Sequence, residues 1–208
     1  MTATNFPIHA ARPANQRLRI SILRGLFLAG LPLVLLGFPL WSAAPAAALH
    51  VMGTILIFAA ILGRFWATLY IGGHKNGQLM QDGPYSVCRH PLYLFSIIGI
   101  VGFGLVLESI TLAALFGLAG VLVLTTIALH EERFLQARFG ASHEAYRAAV
   151  PMIRPRLSDF RTAEQVTIQP RLLWRNGRDA LVFLSALPLA EAIDLAHRSG
   201  HLHLLGLW

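Results

Sequence analysis

The sequence predicts an all-α integral membrane protein of about five transmembrane helices, and three observations carry that prediction. First, of 208 residues 55% are hydrophobic and only 13% charged, where an average soluble domain carries roughly 25% charged residues. Second, the mean hydropathy is +0.59, and a fold this small exposes too much of its area to hide so much apolar surface from water. Third, the apolar residues collect into runs close to the ~20 residues a helix needs to cross a bilayer. An ordinary cytosolic enzyme is excluded. A single cysteine, Cys88, excludes an internal disulfide and a cysteine-based zinc cluster.

Taken in order, the first span covers about Ile22 to Trp41. Arg24 can snorkel at its start, and Pro32 and Pro39 interrupt it in a way membrane helices tolerate. The polar residues ahead of it and the length of the run argue against a cleaved signal peptide. The second span covers about Ala46 to Tyr70, with Arg64 near its end. The third covers about Pro91 to Leu107 and the fourth about Ile110 to His130. Only Glu108 and Ser109 separate these two, so they form a tight antiparallel hairpin. The fifth candidate, about Ala180 to Ala196, contains Pro188, Glu191 and Asp194, and either spans or lies in the interface.

Charge placement orients the map. Arg12, Arg17, Arg19 and Arg24 precede the first span, and Arg64, Lys75 and Arg89 surround the second loop. Arg133, Arg138, Arg147, Arg154, Arg156 and Arg161 follow the fourth. The turns at Ser42–Pro45 and at Glu108 and Ser109 carry neither lysine nor arginine. The positive-inside rule then puts the N-terminus, the 71–90 loop and the region after His130 in the cytoplasm. This bias accounts for the net charge of +7 and the pI near 10.7 without nucleic acid as a partner. The expected divisions are a cytoplasmic segment 1–20, two helices in 21–71, a core 72–156 and a linker with a C-terminal helix in 157–208.

Two polar stretches interrupt the apolar pattern. The loop from Gly72 to Pro91 holds Gly72, Gly73, Gly77 and Gly83, and ends in Arg89-His90-Pro91. Pro91 suits the first helical position, so the start of the third helix should offer free N–H groups and a positive dipole end to whatever the loop encloses. Arg89 brings a planar donor fork suited to a carboxylate or phosphate, and Tyr93 lies one turn further on the same face. The second stretch, from His130 to Pro155, reads as a helix leaving the membrane, followed by a short helix around His143–Ala149. In a hairpin of two equal helices the start of one lies beside the end of the other. Arg89, His90 and Tyr93 should therefore face Glu131 and Glu132 at headgroup depth. A partly buried ionisable cluster there is a functional hypothesis by default, although a positive flank and a solvated acidic boundary explain each half separately. His197, His201 and His203 lack suitably spaced partners, so no metal site is expected.

The segment GPYSVCRHPLYL (Gly83–Leu94), the apolar hairpin and EERFLQARFGASHEAYRAAVP (Glu131–Pro151) together closely resemble the isoprenylcysteine carboxyl methyltransferase family. That family sits within a wider group of small membrane methyltransferases that includes phospholipid methyltransferases. The resemblance covers about residues 70–155 and implies S-adenosylmethionine as cofactor in a cytoplasmic pocket. It implies that Tyr85, Arg89, His90, Pro91 and Tyr93 form the cofactor wall, with Glu131 and Glu132 facing them and an adenine near Leu79 or Leu135. Arg89, Glu131 and Glu132 are the candidate catalytic residues. The implied acceptor is lipophilic, an isoprenoid carboxylate or a lipid head group, with carboxyl O-methylation favoured. A carboxylate is already nucleophilic and needs only an arginine to orient it, whereas an amine needs a glutamate to take its proton. The implied location is a bacterial inner membrane, and the oligomeric state stays open. Two alternatives remain: an NADPH-dependent enzyme resembling sterol reductases, and a non-enzymatic membrane subunit or transporter.

Overall fold

The computed structural model describes residues 41–71, 79–166, 168 and 170–199, with the isolated positions 25, 32, 34, 37–38 and 205–206. The expected first span and most of the glycine-rich loop, including His74 and Lys75, lie outside the described residues, as do the C-terminal histidines His201 and His203. The described chain is helical apart from a two-residue parallel pairing of Gly37–Phe38 with Leu205–Gly206.

Helix α1 covers Ala43–Ile71, α2 is a single turn at Pro84–Val87, α3 covers Pro91–Val106 and α4 Ile110–Phe139. Helix α5 follows at Ala141–Ala149, then a 3-10 turn at Leu157–Asp159, α6 at Pro170–Leu184 and α7 at Ala186–Arg198. Among the described residues, α1 and α4 are long and apolar enough to cross a membrane, with 29 and 30 residues. Helix α3 is apolar but has 16 residues, about 24 Å at the helical rise. Large apolar side chains stay exposed along one face of each long helix: Val51, Ile55, Phe58 and Leu62 on α1, and Leu115, Leu118, Leu122 and Leu129 on α4. Such continuous apolar surface suits lipid rather than water.

Helices α3 and α4 meet through glycine. A Cβ at Gly104 would run into the backbone of Ala113, one at Gly117 into Val101, and one at Gly120 would press on Ile100. Gly99 and Gly102 turn the other way, toward Phe183 and Ala60, and toward Gly53 and Leu56. Small residues let helix backbones approach closely where lipid offers no hydrophobic drive. The connecting turn puts Glu108 in the left-handed region at φ 57, which costs a non-glycine residue roughly 1–2 kcal/mol. The Ser109 side chain then caps α4 by accepting from the Leu112 N–H at 3.0 Å.

The expected fifth helix, Ala180–Ala196, is not continuous: α6 ends at Leu184 and α7 begins at Ala186. Pro188 has no N–H, and its ring would clash with the carbonyl four residues back, that of Leu184. The two pieces still run along α1 and α3. Phe183 lies over Gly99 and under the Arg64 guanidinium, 5.6 Å from the ring centroid. Ala190 packs with Ile57 and Val106, and Ile193 reaches Leu112 at the hairpin turn.

Candidate functional site

The apolar part of α4 ends near Leu129, and its last turns, which carry Glu131, Glu132, Arg133 and Arg138, follow the span expected at about Ile110 to His130. Because α4 returns antiparallel to α3, these turns stand beside the start of α3. Arg89 donates to both oxygens of Glu132, from Nε to Oε1 at 2.9 Å and from Nη2 to Oε2 at 3.0 Å. Its remaining nitrogen, Nη1, donates to the carbonyls of Arg147 and Val150. His90 Nε2 lies 2.9 Å from Glu132 Oε1, and Arg147 Nε lies 3.4 Å from Oε2. The side chains of Arg89 and Glu132 are only 9% and 7% exposed. Burial pushes the Glu132 carboxyl up, but the hydrogen bonds from His90 and Arg89 and their charge outweigh it and hold the group at about 2.

Helix α5 and the strand-like segment after it lock this arrangement from outside. The Arg89 and His90 N–H groups donate to the carbonyls of Pro151 and Met152, at 2.9 and 3.0 Å. These two amides just ahead of α3 are thus taken by the chain itself, and within the first turn the Tyr93 N–H donates to the His90 carbonyl at 3.0 Å. Further along, Arg156 N donates to Val87 O and Gly83 N to Arg161 O, while Ser86 Oγ accepts from Arg161 N at 3.0 Å. Gly83 has φ +59, and a Cβ there would strike the Tyr70 ring, so glycine is required at this turn. The whole segment 83–90 is thus clamped by residues 150–161.

Glu131 differs from its neighbour. Its side chain is 30% exposed, and His90 Nδ1 lies 3.7 Å from its Oε2, beyond hydrogen-bonding distance. Tyr93 is buried and stacks on His90, with ring centroids 5.4 Å apart and 12° between planes. Tyr85 is 5% exposed. Its carbonyl accepts from the Tyr146 hydroxyl at 2.6 Å, yet its own buried hydroxyl has no hydrogen-bond partner among the described residues. Burial raises its pKa well above the ordinary tyrosine value, helped by Tyr146 and the Glu131 charge. Pro91 opens α3 as expected. Leu79 and Leu135 are half-buried and lie outside the hydrogen-bonded cluster. Burial pushes the Cys88 thiol up to about 12, which marks a packed residue rather than a nucleophile.

The structure thus brings together Arg89, His90 and Glu132 directly, with Glu131 and Tyr93 beside His90 and Tyr85 held by Tyr146 in the adjoining segment. The Arg89 donor fork, expected to orient an acceptor carboxylate, is engaged here by Glu132 and by the carbonyls of Arg147 and Val150. Three contributors went unread in the sequence: His143, Tyr146 and Arg147. His143 is fully buried, with Nδ1 on Gln136 Oε1 at 2.9 Å and Nε2 3.8 Å from Glu132 Oε2. Burial lowers its pKa, against the pull of Glu132. For His143 and Tyr146 the signal is the inward periodicity of α5, in which His143, Tyr146 and Val150 are buried while Ser142, Glu144, Ala145, Arg147 and Ala148 are exposed.

The phospholipid methyltransferase family profile matches residues 38–142. The chain is 35% identical over 185 residues to the cobalt-zinc-cadmium resistance protein CzcN of Cupriavidus metallidurans, covering 88% of this chain and 85% of that one. It is 38% identical over 154 residues to the nickel-cobalt-cadmium resistance protein NccN of Alcaligenes xylosoxydans xylosoxydans, covering 74% of this chain and 72% of that one. No solved structure matches significantly.

Proposed function

The chain belongs to the phospholipid methyltransferase family, and on that premise we propose that it is an S-adenosylmethionine-dependent membrane methyltransferase acting on a lipophilic acceptor. The acceptor is an isoprenoid carboxylate or a lipid head group. The observation that carries the reading is the buried ionisable cluster of Arg89, His90, Glu131 and Glu132 at the polar end of an apolar hairpin. A partly buried ionisable cluster at the boundary of a membrane span is a functional hypothesis by default. The residues fit a zwitterionic, partly aromatic cofactor in two respects: Glu131 offers a carboxylate not taken up by the Arg89 fork, and the buried Tyr85 hydroxyl has no partner among the described residues.

Tyr85, His90, Tyr93 and Glu131 would hold the cofactor, which supplies an electrophilic methyl on a sulfonium. The chain's own task is to align the acceptor and strip water from it, which is where most of the rate enhancement in such a displacement arises. An amine acceptor has to lose a proton to one of the two glutamates; a carboxylate acceptor needs none taken. We further propose that the site faces the cytoplasm, since Arg133, Arg138, Arg147, Arg154, Arg156 and Arg161 lie at this end. On this reading the undescribed N-terminal run and the broken α6–α7 unit complete about five crossings in a bacterial inner membrane. The relatives are named for resistance to cobalt, zinc, nickel and cadmium, and we read the same setting for this chain, with a methylated membrane component as its contribution.

The test is transfer of labelled methyl from S-adenosylmethionine into a lipid extract by the purified protein in nanodiscs. A labelled lipophilic product is expected, stable to base for an N-methyl head group and labile for a methyl ester. Folded protein that neither transfers label nor binds S-adenosylhomocysteine overturns the proposal.

A further inference from the structure

On α1 the exposed apolar stripe of Ile55, Phe58 and Leu62 continues at helical spacing through Trp66 to Tyr70. At those last two positions the segment that follows α5 lies over it. The Phe160 ring packs on Trp66, with centroids 5.9 Å apart and 46° between planes, and the Tyr70 hydroxyl is hydrogen-bonded to Thr162 Oγ1 at 2.7 Å. We infer that residues 154–162 rest in the phospholipid headgroup layer, with Leu157 and Phe160 entering its apolar boundary and the arginines meeting lipid phosphates. This goes beyond the proposed reaction and rests only on α1 facing lipid.

Tryptophan and tyrosine collect where a span meets the headgroups, so the Trp66 and Tyr70 end of the stripe marks that depth on α1. The segment laid over it has the chemistry of the same layer. Leu157 is 75% and Phe160 49% exposed, and the 3-10 turn between Arg156 and Phe160 buries none of its own residues. Exposed Arg154, Arg156 and Arg161 flank the apolar pair. The stretch holds these three arginines against one aspartate. That aspartate, Asp159, is turned onto Arg156 at 3.0 Å and accepts from Ser158 Oγ at 2.9 Å. Large apolar side chains between cations, continuous with a lipid-facing stripe, fit a bilayer surface better than water.

The backbone of this segment also encloses the site. Arg161 O accepts from Gly83 N, Arg156 N donates to Val87 O, and Arg161 N donates to Ser86 Oγ. One side of the strap thus clamps the approach to Arg89 and His90 while the other meets lipid.

The test is photolabelling of the full wild-type chain in phosphatidylcholine–phosphatidylglycerol nanodiscs. The probes are phospholipids carrying a diazirine near the glycerol or at the acyl end, with adducts located by mass spectrometry. The glycerol-level probe should modify residues 157–160, and the acyl-end probe Phe58 and Leu62. Leu157→Cys then carries a nitroxide whose collisions with oxygen and with a water-soluble nickel chelate report its depth. Cys88 is buried and stays unlabelled. A position about 5–10 Å into the headgroup–acyl boundary is expected, against an aqueous one for Glu144→Cys on the exposed face of α5. Adding Arg154→Gln and Arg156→Gln should shift the nitroxide toward water; an unchanged depth overturns the phosphate contacts. Adducts on Phe58 and Leu62 but none at 157–160, or a nitroxide at 157 as open to the chelate as that at 144, overturns this inference and leaves the methyltransferase reading standing. A nitroxide shielded from both reagents places protein on this face and overturns it too. Folded chain unlabelled at Phe58 and Leu62 removes the lipid face of α1, and the membrane reading falls together with this inference.

Discussion

The two ends of the α3–α4 hairpin are joined by opposite means. At the turn, backbone touches backbone: Gly104 lies against Ala113, Ser109 is fully buried and caps α4, and Leu112 packs with Ile193. At the other end the helices meet through buried charge, with Glu132 held by Arg89, His90 and Arg147. The difference separates fixing a fold from building a site. A buried ion pair can often be replaced by apolar residues of similar volume with no loss of stability, so the charged end is not there to hold the helices. The turn sets the register, and the charges use it.

The largest expected effect tests that division. Arg89→Ala leaves Glu132 buried with His90 and a half-exposed Arg147, and breaking a buried pair in this way costs about 3–5 kcal/mol. Unfolding in detergent, followed by circular dichroism, should show a loss of this size, with a matching loss of S-adenosylhomocysteine binding. A variant that melts like wild type would mean that His90 and Arg147 alone satisfy the buried Glu132 carboxylate.

Acid should act next. The Glu132 carboxyl is held at about 2, well below its ordinary value near 4.5. The unfolded chain therefore takes up the proton first, so the stabilisation is fully present above about 4.5 and is lost as pH falls toward 2. The size is on the order of 2–3 kcal/mol after allowing for incomplete burial. His143 acts in the same direction at higher pH: burial lowers its pKa, so below about 6.5 the unfolded chain again binds the proton first. Melting temperatures measured across this range should fall in the lower window for wild type and stay flat there for Glu132→Gln.

Much of this comparison is legible in the sequence, and the exceptions have physical causes. The two-residue turn between apolar runs is enough to place Arg89 and His90 beside Glu131 and Glu132. The glycines of α3 and α4 announce close packing. Single-sequence reading does not reveal how partners divide once assembled. Arg89 and both glutamates look equally available, and only their geometry shows that Glu132 takes the fork while Glu131 keeps capacity. The clamp formed by residues 150–161 is invisible because that segment contributes backbone groups, which carry no residue signature. The break at Ser185 was foreshadowed by Pro188, whose ring excludes the Leu184 carbonyl, but the apolar run around it outweighs the proline in any count of hydropathy.

The smallest effect bears most directly on whether the two ends are separable. Ser109→Ala removes the hydroxyl that accepts from Leu112 N–H at 3.0 Å and leaves that donor unpaired at the first turn of α4. Loss of such a cap costs about 1 kcal/mol, and the buried position of Ser109 leaves no water to replace it. The melting temperature should fall modestly. Since Glu131 and Glu132 stand more than 20 residues along the same helix, roughly 30 Å away at the helical rise, affinity for S-adenosylhomocysteine should not change. An affinity that falls with the melting temperature would show that the turn reaches the site through the helix, and the two ends would then be one cooperative unit rather than a scaffold and a site.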